Sequence, residues 1–365
     1  MIRTREKITL FLLVILFSLF HLDNFFFWDN IVQLSVPANW YYENGFSSFF
    51  LPDEIATGHP TFTGMYLTVF WKIFGKSLPV SHLAMLPLVF GLIYQIVRFV
   101  KTLVPENIKY QWLIIIALLA DTSLMAQFSI LTFEVAHLFF FFLAINEFLR
   151  NRTFFFVIAF SGLCLISLRS ILSAGGIVVF LFLLHFLRIK KVTKRQFCSL
   201  IPGILLFSAF MVAFYLQKGW IVHNVVSEKW SNASEFSGFY NILKNSAGFF
   251  WFILDFGRIG FFTIAFVVLL KWLTTFIPPH GKNKIKAFSV ELMKILRKRK
   301  EISIPVLAAI AQFMIFFPVI VIHKNTFGPR YLIPIFIPIL TAIIIWILEY
   351  SSHKRILYIT GLICL

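Results

Sequence analysis

The chain has 365 residues, of which 59% are hydrophobic and only 13% charged, and its mean hydropathy is +0.86. That balance excludes an ordinary soluble domain, which is nearer half apolar and a quarter charged and whose core does not grow without limit. The net charge of +17 does not mark a nucleic-acid surface either: the Lys and Arg cluster between apolar stretches, as topology signals and lipid head-group contacts do.

A helix needs about 20 apolar residues to cross the hydrocarbon core, because backbone groups must be paired there. On that rule the chain predicts an all-α polytopic bundle of about 10–11 spans, a single unit over 1–365. The spans fall near 8–28, 81–100, 111–129, 131–149, 153–168, 170–188, 197–217, 250–272, 303–322, 332–349 and 355–365. The first follows Arg3, Arg5 and Lys7, is too long for a signal-peptide core and has no small-residue cleavage site, so it reads as retained. The last has 11 residues, so the chain either stops inside a span or is a piece of a longer protein. With the N-terminus in the cytoplasm, 24 of the 33 Lys and Arg fall on the cytoplasmic side. The outer side then holds two substantial loops, 29–80 and 218–249, and a short one from His323 to Tyr331.

Asp29 stands in Phe27-Trp28-Asp29-Asn30, where the first span leaves the membrane. Partly desolvated by its neighbours, it suits a general base; as an interfacial residue beside Trp28, it suits a helix end, the commoner role of such a position. Further along the first outer loop comes Thr57-Gly58-His59-Pro60-Thr61-Phe62. Pro60 can open a helix, and residues 61–74 read as an amphipathic helix on the outer surface, with His59 as its cap or as a functional group. In the third span Asp121 is placed to pair with Arg169. At the outer start of the fourth, Glu134 and His137 are three residues apart and share one helix face. Ionisable groups at that depth face a cavity or a partner.

Arg169 marks the outer end of the fifth span, and Gly175-Gly176 is the only candidate helix break. Cys164, Cys198 and Cys364 lie in apolar stretches without metal spacing. Asn232-Ala233-Ser234 is a chance sequon. Asp255-Phe256-Gly257 lies in an apolar span without the other kinase elements. Near the C-terminus, His323, Lys324 and Arg330 form a cationic spot suited to a phosphate or to lipid head groups.

The order of four of these pieces resembles a GT-C-type integral membrane glycosyltransferase, of the protein O-mannosyltransferase and lipid A aminoarabinose transferase group. They are Asp29 after the first span, His59-Pro60 before a helix ending in Phe74-Gly75, Glu134 after a short pair of spans, and Arg330-Tyr331-Leu332-Ile333-Pro334 opening a late span. The family usually has His-Pro-Pro or Lys-Pro-Pro where this chain has His59-Pro60-Thr61, and commonly Asp where it has Glu134. It also usually has a soluble tail or more spans. The resemblance implies a polyprenyl-phosphate sugar as donor, with no other cofactor. Asp29 would be the general base for an inverting attack by an acceptor hydroxyl, on a glycan, lipid or protein. Glu134 is counted with the catalytic acids. His59, Arg169, Lys324, Arg330 and Tyr331 are counted as substrate contacts, the cations facing the leaving phosphate. The implied site is periplasmic, in a bacterial inner membrane. A lipid-linked oligosaccharide polymerase or ligase, a transporter or flippase, and a non-catalytic scaffold are the alternatives.

Overall fold

The computed structural model describes residues 4–27, 30–104, 111–221, 238–255, 257–276, 294, 296–322 and 328–350. Asp29, Lys324, His323 and the expected span at 355–365 lie outside them.

The expected first span at 8–28 is helical only in α1 (Thr4–Leu19), which stops at Leu19. A π-helical turn at Ile31–Ser35 runs into α2 (Val36–Asn44), and α3 (Phe62–Phe74) follows across the first outer loop. The apolar pattern predicts only α3; α2 has no clear period because it packs on α3 through small residues. Gly64 of α3 leaves no room for a side chain against Pro37 and Ala38, which draws the two backbones together. α4 (Leu78–Leu103) starts where Ser77 caps it, its Oγ accepting from Val80 N at 3.3 Å. Then come α5 (Gln111–Leu119), α6 (Thr122–Ser129), α7 (Glu134–Leu149), α8 (Thr153–Cys164) and α9 (Leu168–Phe186). A helical turn at Lys194–Cys198 leads into α10 (Ile201–Lys218). The rest is α11 (Phe239–Leu254), α12 (Arg258–Phe276), α13 (Lys300–Ile322), a 3-10 turn at Pro329–Leu332 and α14 (Ile333–Tyr350).

Among the described residues, five helical stretches are long and apolar enough to cross a membrane: Leu78–Leu103, Leu168–Phe186, Lys194–Lys218, Lys300–Ile322 and Pro329–Leu348. Two bent pairs, α5 with α6 and α11 with α12, raise that to seven if each pair is one span. The expected continuous helix at 111–129 is thus broken, with a 62° bend at Asp121. The expected span at 250–272 is two helices, the first starting at Phe239 and ending at Leu254, with Asp255 as its C-cap. The helix at 153–168 stops at Cys164. Gly175-Gly176 breaks nothing: α9 runs through it, and a side chain at Gly176 would land on the Gln312 carboxamide of α13.

The bundle has two halves. α1, α4, α7, α8 and α10 pack in sequence, and α9, α11, α13, α14 and α12 form the other half, joined to the first through α7, α8 and α9. Rings fit over glycines at the seams: Phe139 on Gly91, Phe140 on Gly162 and Phe160 on Gly203. Association between helices in lipid depends on such close packing, since lipid tails are as apolar as leucine. Phe20, Phe154, Phe186, Leu205 and Leu216 point outward, as a lipid-facing surface does.

Loops expected on opposite sides of the membrane meet at opposite ends of the bundle. At one end, Lys190 Nζ donates to Leu149 O at 3.0 Å and Arg297 Nε to Leu187 O at 3.2 Å. Arg98 and Glu147 are paired there, buried, beside Gln95 and Asn146. At the other end the exit of α1 is tied down: Asn24 Nδ2 donates to Ser129 O at 2.6 Å, and Phe26 pairs with Leu131.

The two bends share one ion pair. Asp121 caps α6, its Oδ1 accepting from Leu124 N at 3.1 Å, and it also holds Arg258, the first residue of α12. Arg258 Nε reaches Asp121 Oδ2 at 2.7 Å; Nη2 reaches Oδ1 at 3.2 Å and Ser123 Oγ at 2.5 Å. Nη1 donates to the carbonyls of Phe252 and Asp255 at 2.9 and 3.2 Å. The guanidinium lies 3.7 Å from the Phe336 ring centre in α14. The expected Asp121–Arg169 pair does not form. Arg258, not named by any motif, takes that place because the break after α11 turns its side chain inward.

Candidate functional site

The site is assembled from the N-terminal ends of α7 and α9, the His59 turn before α3 and the 3-10 turn before α14. Ser167 and Ser170 cap α9 reciprocally: Ser167 Oγ accepts from Ser170 N at 3.1 Å, and Ser170 Oγ accepts from Ser167 N at 2.9 Å. This fixes Leu168 and Arg169 at the mouth of the helix. The Leu168 N–H donates to His59 Nδ1 at 3.2 Å. His59 Nδ1 is therefore unprotonated in this contact, and the ring is tied to the start of α9.

Arg169 pairs with Glu134 Oε1. Glu134 opens α7, is 2% exposed, and its other oxygen meets His137 Nδ1 at 3.2 Å. His137 Nε2 lies 2.8 Å from Ser173 Oγ, one turn beyond Arg169 on α9. Both carboxylate oxygens of Glu134 are thus engaged, and the chain Ser173–His137–Glu134–Arg169 crosses between α9 and α7 twice. Burying such a carboxylate is tolerated because it has these partners; removing one would leave it uncompensated.

Arg169 is oriented on its faces as well. Its guanidinium carbon lies 3.5 Å from the Tyr331 ring centre and 5.5 Å from that of Phe133. Arg330 lies 5.1 Å from the same Tyr331 ring, and its Nη2 is 3.2 Å from the Tyr331 hydroxyl. Arg330 also bears electrostatically on Glu134. Two guanidiniums therefore contact one phenol, the carboxylate of Glu134 pairs with the first of them, and His59 holds the backbone next to it. A fork-shaped cation held by stacking suits a bidentate phosphate contact.

The structure brings together Glu134, His59, Arg169, Arg330 and Tyr331 of the expected site residues. Asp29 and Lys324 lie outside the described residues. On either side of Asp29, Phe26 is bound to Leu131, three residues before Glu134, and Asn30 is 1% exposed with a carboxamide that has no hydrogen-bond partner among the described residues. The residues missed by sequence reasoning are Ser173, Phe133 and the capping pair Ser167 and Ser170. Ser173 stands four positions after Arg169, on the same helix face, and that spacing is a signal the sequence carries.

Around His59 the outer loop is firmly built. Gly58 has φ +74°, and a side chain there would meet the Ile221 carbonyl at 2.9 Å and the Trp220 ring at 3.3 Å. Tyr41 donates to Phe49 O at 2.6 Å and lies 2.9 Å from Thr61 Oγ1. Tyr66 donates to Ala84 O at 2.6 Å, and burial pushes its phenol up to about 12, so it stays a donor.

No protein-family model matches the chain, and no curated protein matches its sequence. The fold is similar to the crystal structure of ArnT from Cupriavidus metallidurans bound to undecaprenyl phosphate, with a TM-score of 0.63 at 12% identity. The match covers 99% of this chain and 63% of that one. The architecture is therefore similar to that of ArnT, a polytopic helical membrane fold.

Proposed function

We propose that this chain transfers a sugar from a polyprenyl-phosphate carrier to an acceptor hydroxyl at the outer face of the membrane. The observation that carries the reading is the pair of guanidiniums around Tyr331, at the loop-side end of an ArnT-like bundle. The ArnT structure holds undecaprenyl phosphate; a lipid phosphate is the anion such a pair would meet at a membrane surface.

In this reading Asp29 takes the proton of the acceptor hydroxyl as its oxygen attacks the anomeric carbon. The glycosidic bond to the phosphate oxygen breaks with inversion, and the lipid phosphate leaves with the bonding electrons. Arg169 and Arg330 face the developing negative charge, usually the largest electrostatic contribution to such a reaction. Lys324 joins them as a further cation. Glu134 acts through Arg169: with both oxygens engaged, it sets the angle of the guanidinium and keeps the cation from collapsing onto another partner. His59 ties the loop to the start of α9, next to Arg169. No metal or other cofactor is assigned a step. The partners are the carrier lipid, the surrounding membrane and an acceptor glycan, lipid or protein. The site is periplasmic in a bacterial inner membrane.

The test is transfer in reconstituted membranes from a panel of undecaprenyl-phosphate sugars, read as release of undecaprenyl phosphate, alongside mass spectrometry of lipids and surface glycans with and without the protein. Wild type is expected to release the carrier from at least one donor, and Asp29→Asn to abolish release while still inserting and folding. Full turnover by the Asn variant would refute the assigned base.

A further inference from the structure

A cavity lies among the helices of the first outer loop, lined by residues of α2, α3 and the start of α4. Its volume is about 610 Å³, within the range of roughly 300–1,000 Å³ typical of small-molecule sites. Its walls are aromatic: Phe26 from the exit of α1, Trp40 from α2 and Trp71 from α3. Its polar side is formed by Asn39, Glu43 and Lys76. Lys76 Nζ donates to Asn39 Oδ1, and Asn39 Nδ2 donates to Glu43 Oε1 at 2.9 Å. Trp71 is held in place, since its Nε1 donates to Ser81 Oγ at 2.8 Å and Lys76 lies over its ring.

We propose that this cavity binds a neutral sugar ring, the terminal residue of the acceptor. A pyranose has a face of C–H bonds and a rim of hydroxyls. The indole and phenyl walls match the face, and an ordered row of ammonium, amide and carboxylate matches the rim with both donors and acceptors. The charge pattern separates this cavity from the cation site. Glu43 and Lys76 cancel, so the cavity does not attract an anion, whereas Arg169 and Arg330 outweigh Glu134 in the other site. A hydrocarbon chain would use the aromatic walls but make no hydrogen bond to the row of Asn39, Glu43 and Lys76. Position links the two sites. Phe26 lines this cavity, and its backbone is bound to Leu131, three residues before Glu134. Sugar binding stands on the cavity alone; the word acceptor rests on the transferase reading.

The experiment is saturation-transfer NMR on the full chain in nanodiscs, with methyl glycosides of glucose, galactose and N-acetylglucosamine as probes, and undecaprenyl phosphate binding measured in parallel. Transfer to ring protons of at least one glycoside is expected. It should fall at least fivefold in Trp40→Ala and in the exposed-site variant Glu43→Gln, with undecaprenyl phosphate binding unchanged in both. Absence of transfer from every glycoside, equal transfer in both variants, or displacement of the glycoside by decanol would each overturn the proposal. Arg169→Ala separates the two claims. If it leaves lipid-phosphate binding intact while the glycoside signal still depends on Trp40, the transferase reading fails and the sugar site stands.

Discussion

Arg169 is held by an ion pair from below, a stacked phenol on one face and the start of α9 behind it. His137 is buried and links Glu134 to Ser173, and so holds the carboxylate that aims the cation. His137→Ala is expected to lower kcat of transfer by up to ~100-fold, the cost of misplacing a catalytic group by about an ångström, with KM for the acceptor little changed. His137→Gln, which keeps one amide hydrogen bond, is expected to recover part of that loss. A fall in kcat no larger for Ala than for Gln would remove His137 from the positioning chain. Part of this was legible in residue spacing: Glu134 and His137 lie three apart, and His59-Pro60 and Arg330-Tyr331 stand out as motifs. The partner of Arg169 was not. Pairing across helices depends on rotation about each helix axis, which apolar spans of near-uniform hydrophobicity do not encode, so the sequence pointed to Asp121 instead of Glu134.

The elements owe their bends to polar groups and their seams to small ones. Asp121 and Arg258 each end one break and begin a helix, and each satisfies the other inside the bundle. Broken helices at membrane depth usually line a functional pathway. Here the donors of Arg258 go to Asp121, Ser123 and two carbonyls, which makes the junction a structural clamp. Asp121→Ala is expected to cost about 3–5 kcal/mol, the penalty for leaving a buried charge unpaired. The double variant Asp121→Leu with Arg258→Met is expected to recover much of it, measured by thermal unfolding in detergent. A loss no smaller in the double variant would contradict the clamp. At the seams, Gly162→Val would drive a side chain into the Phe140 ring, 2.5 Å from where a Cβ would lie. It is expected to destabilise α7 against α8 by about 1–3 kcal/mol, as overpacking does; an unchanged unfolding midpoint would show that the ring can move aside. Helix existence could be read from length and hydropathy, but the two breaks could not. They arise at Asp121-Thr122-Ser123 and between Asp255 and Arg258, short polar stretches in long apolar runs, and hydropathy averaged over a span hides them.

At the scale of the whole molecule, the alternation of basic and non-basic loops anticipates the two ends seen in the bundle. The contacts of Lys190 and Arg297 gather at one end, and those of Asn24, His59, Arg169 and Tyr331 at the other. Chain order alone carried that alternation, because each apolar run reverses direction at the next polar loop. Of the four segments that assemble the site, those at positions 59, 134 and 330 were legible through a family resemblance in motif order, and the one at 169 through an arginine at the outer end of a span. The most direct measurement is the affinity of the wild-type protein for undecaprenyl phosphate in nanodiscs, compared with Arg169→Ala and Arg330→Ala by native mass spectrometry. Loss of one charge-assisted hydrogen-bonding partner is worth about 1.5–3 kcal/mol, so each variant is predicted to bind at least ~10-fold more weakly. Equal affinity in folded variants would contradict the claim that these guanidiniums hold a lipid phosphate.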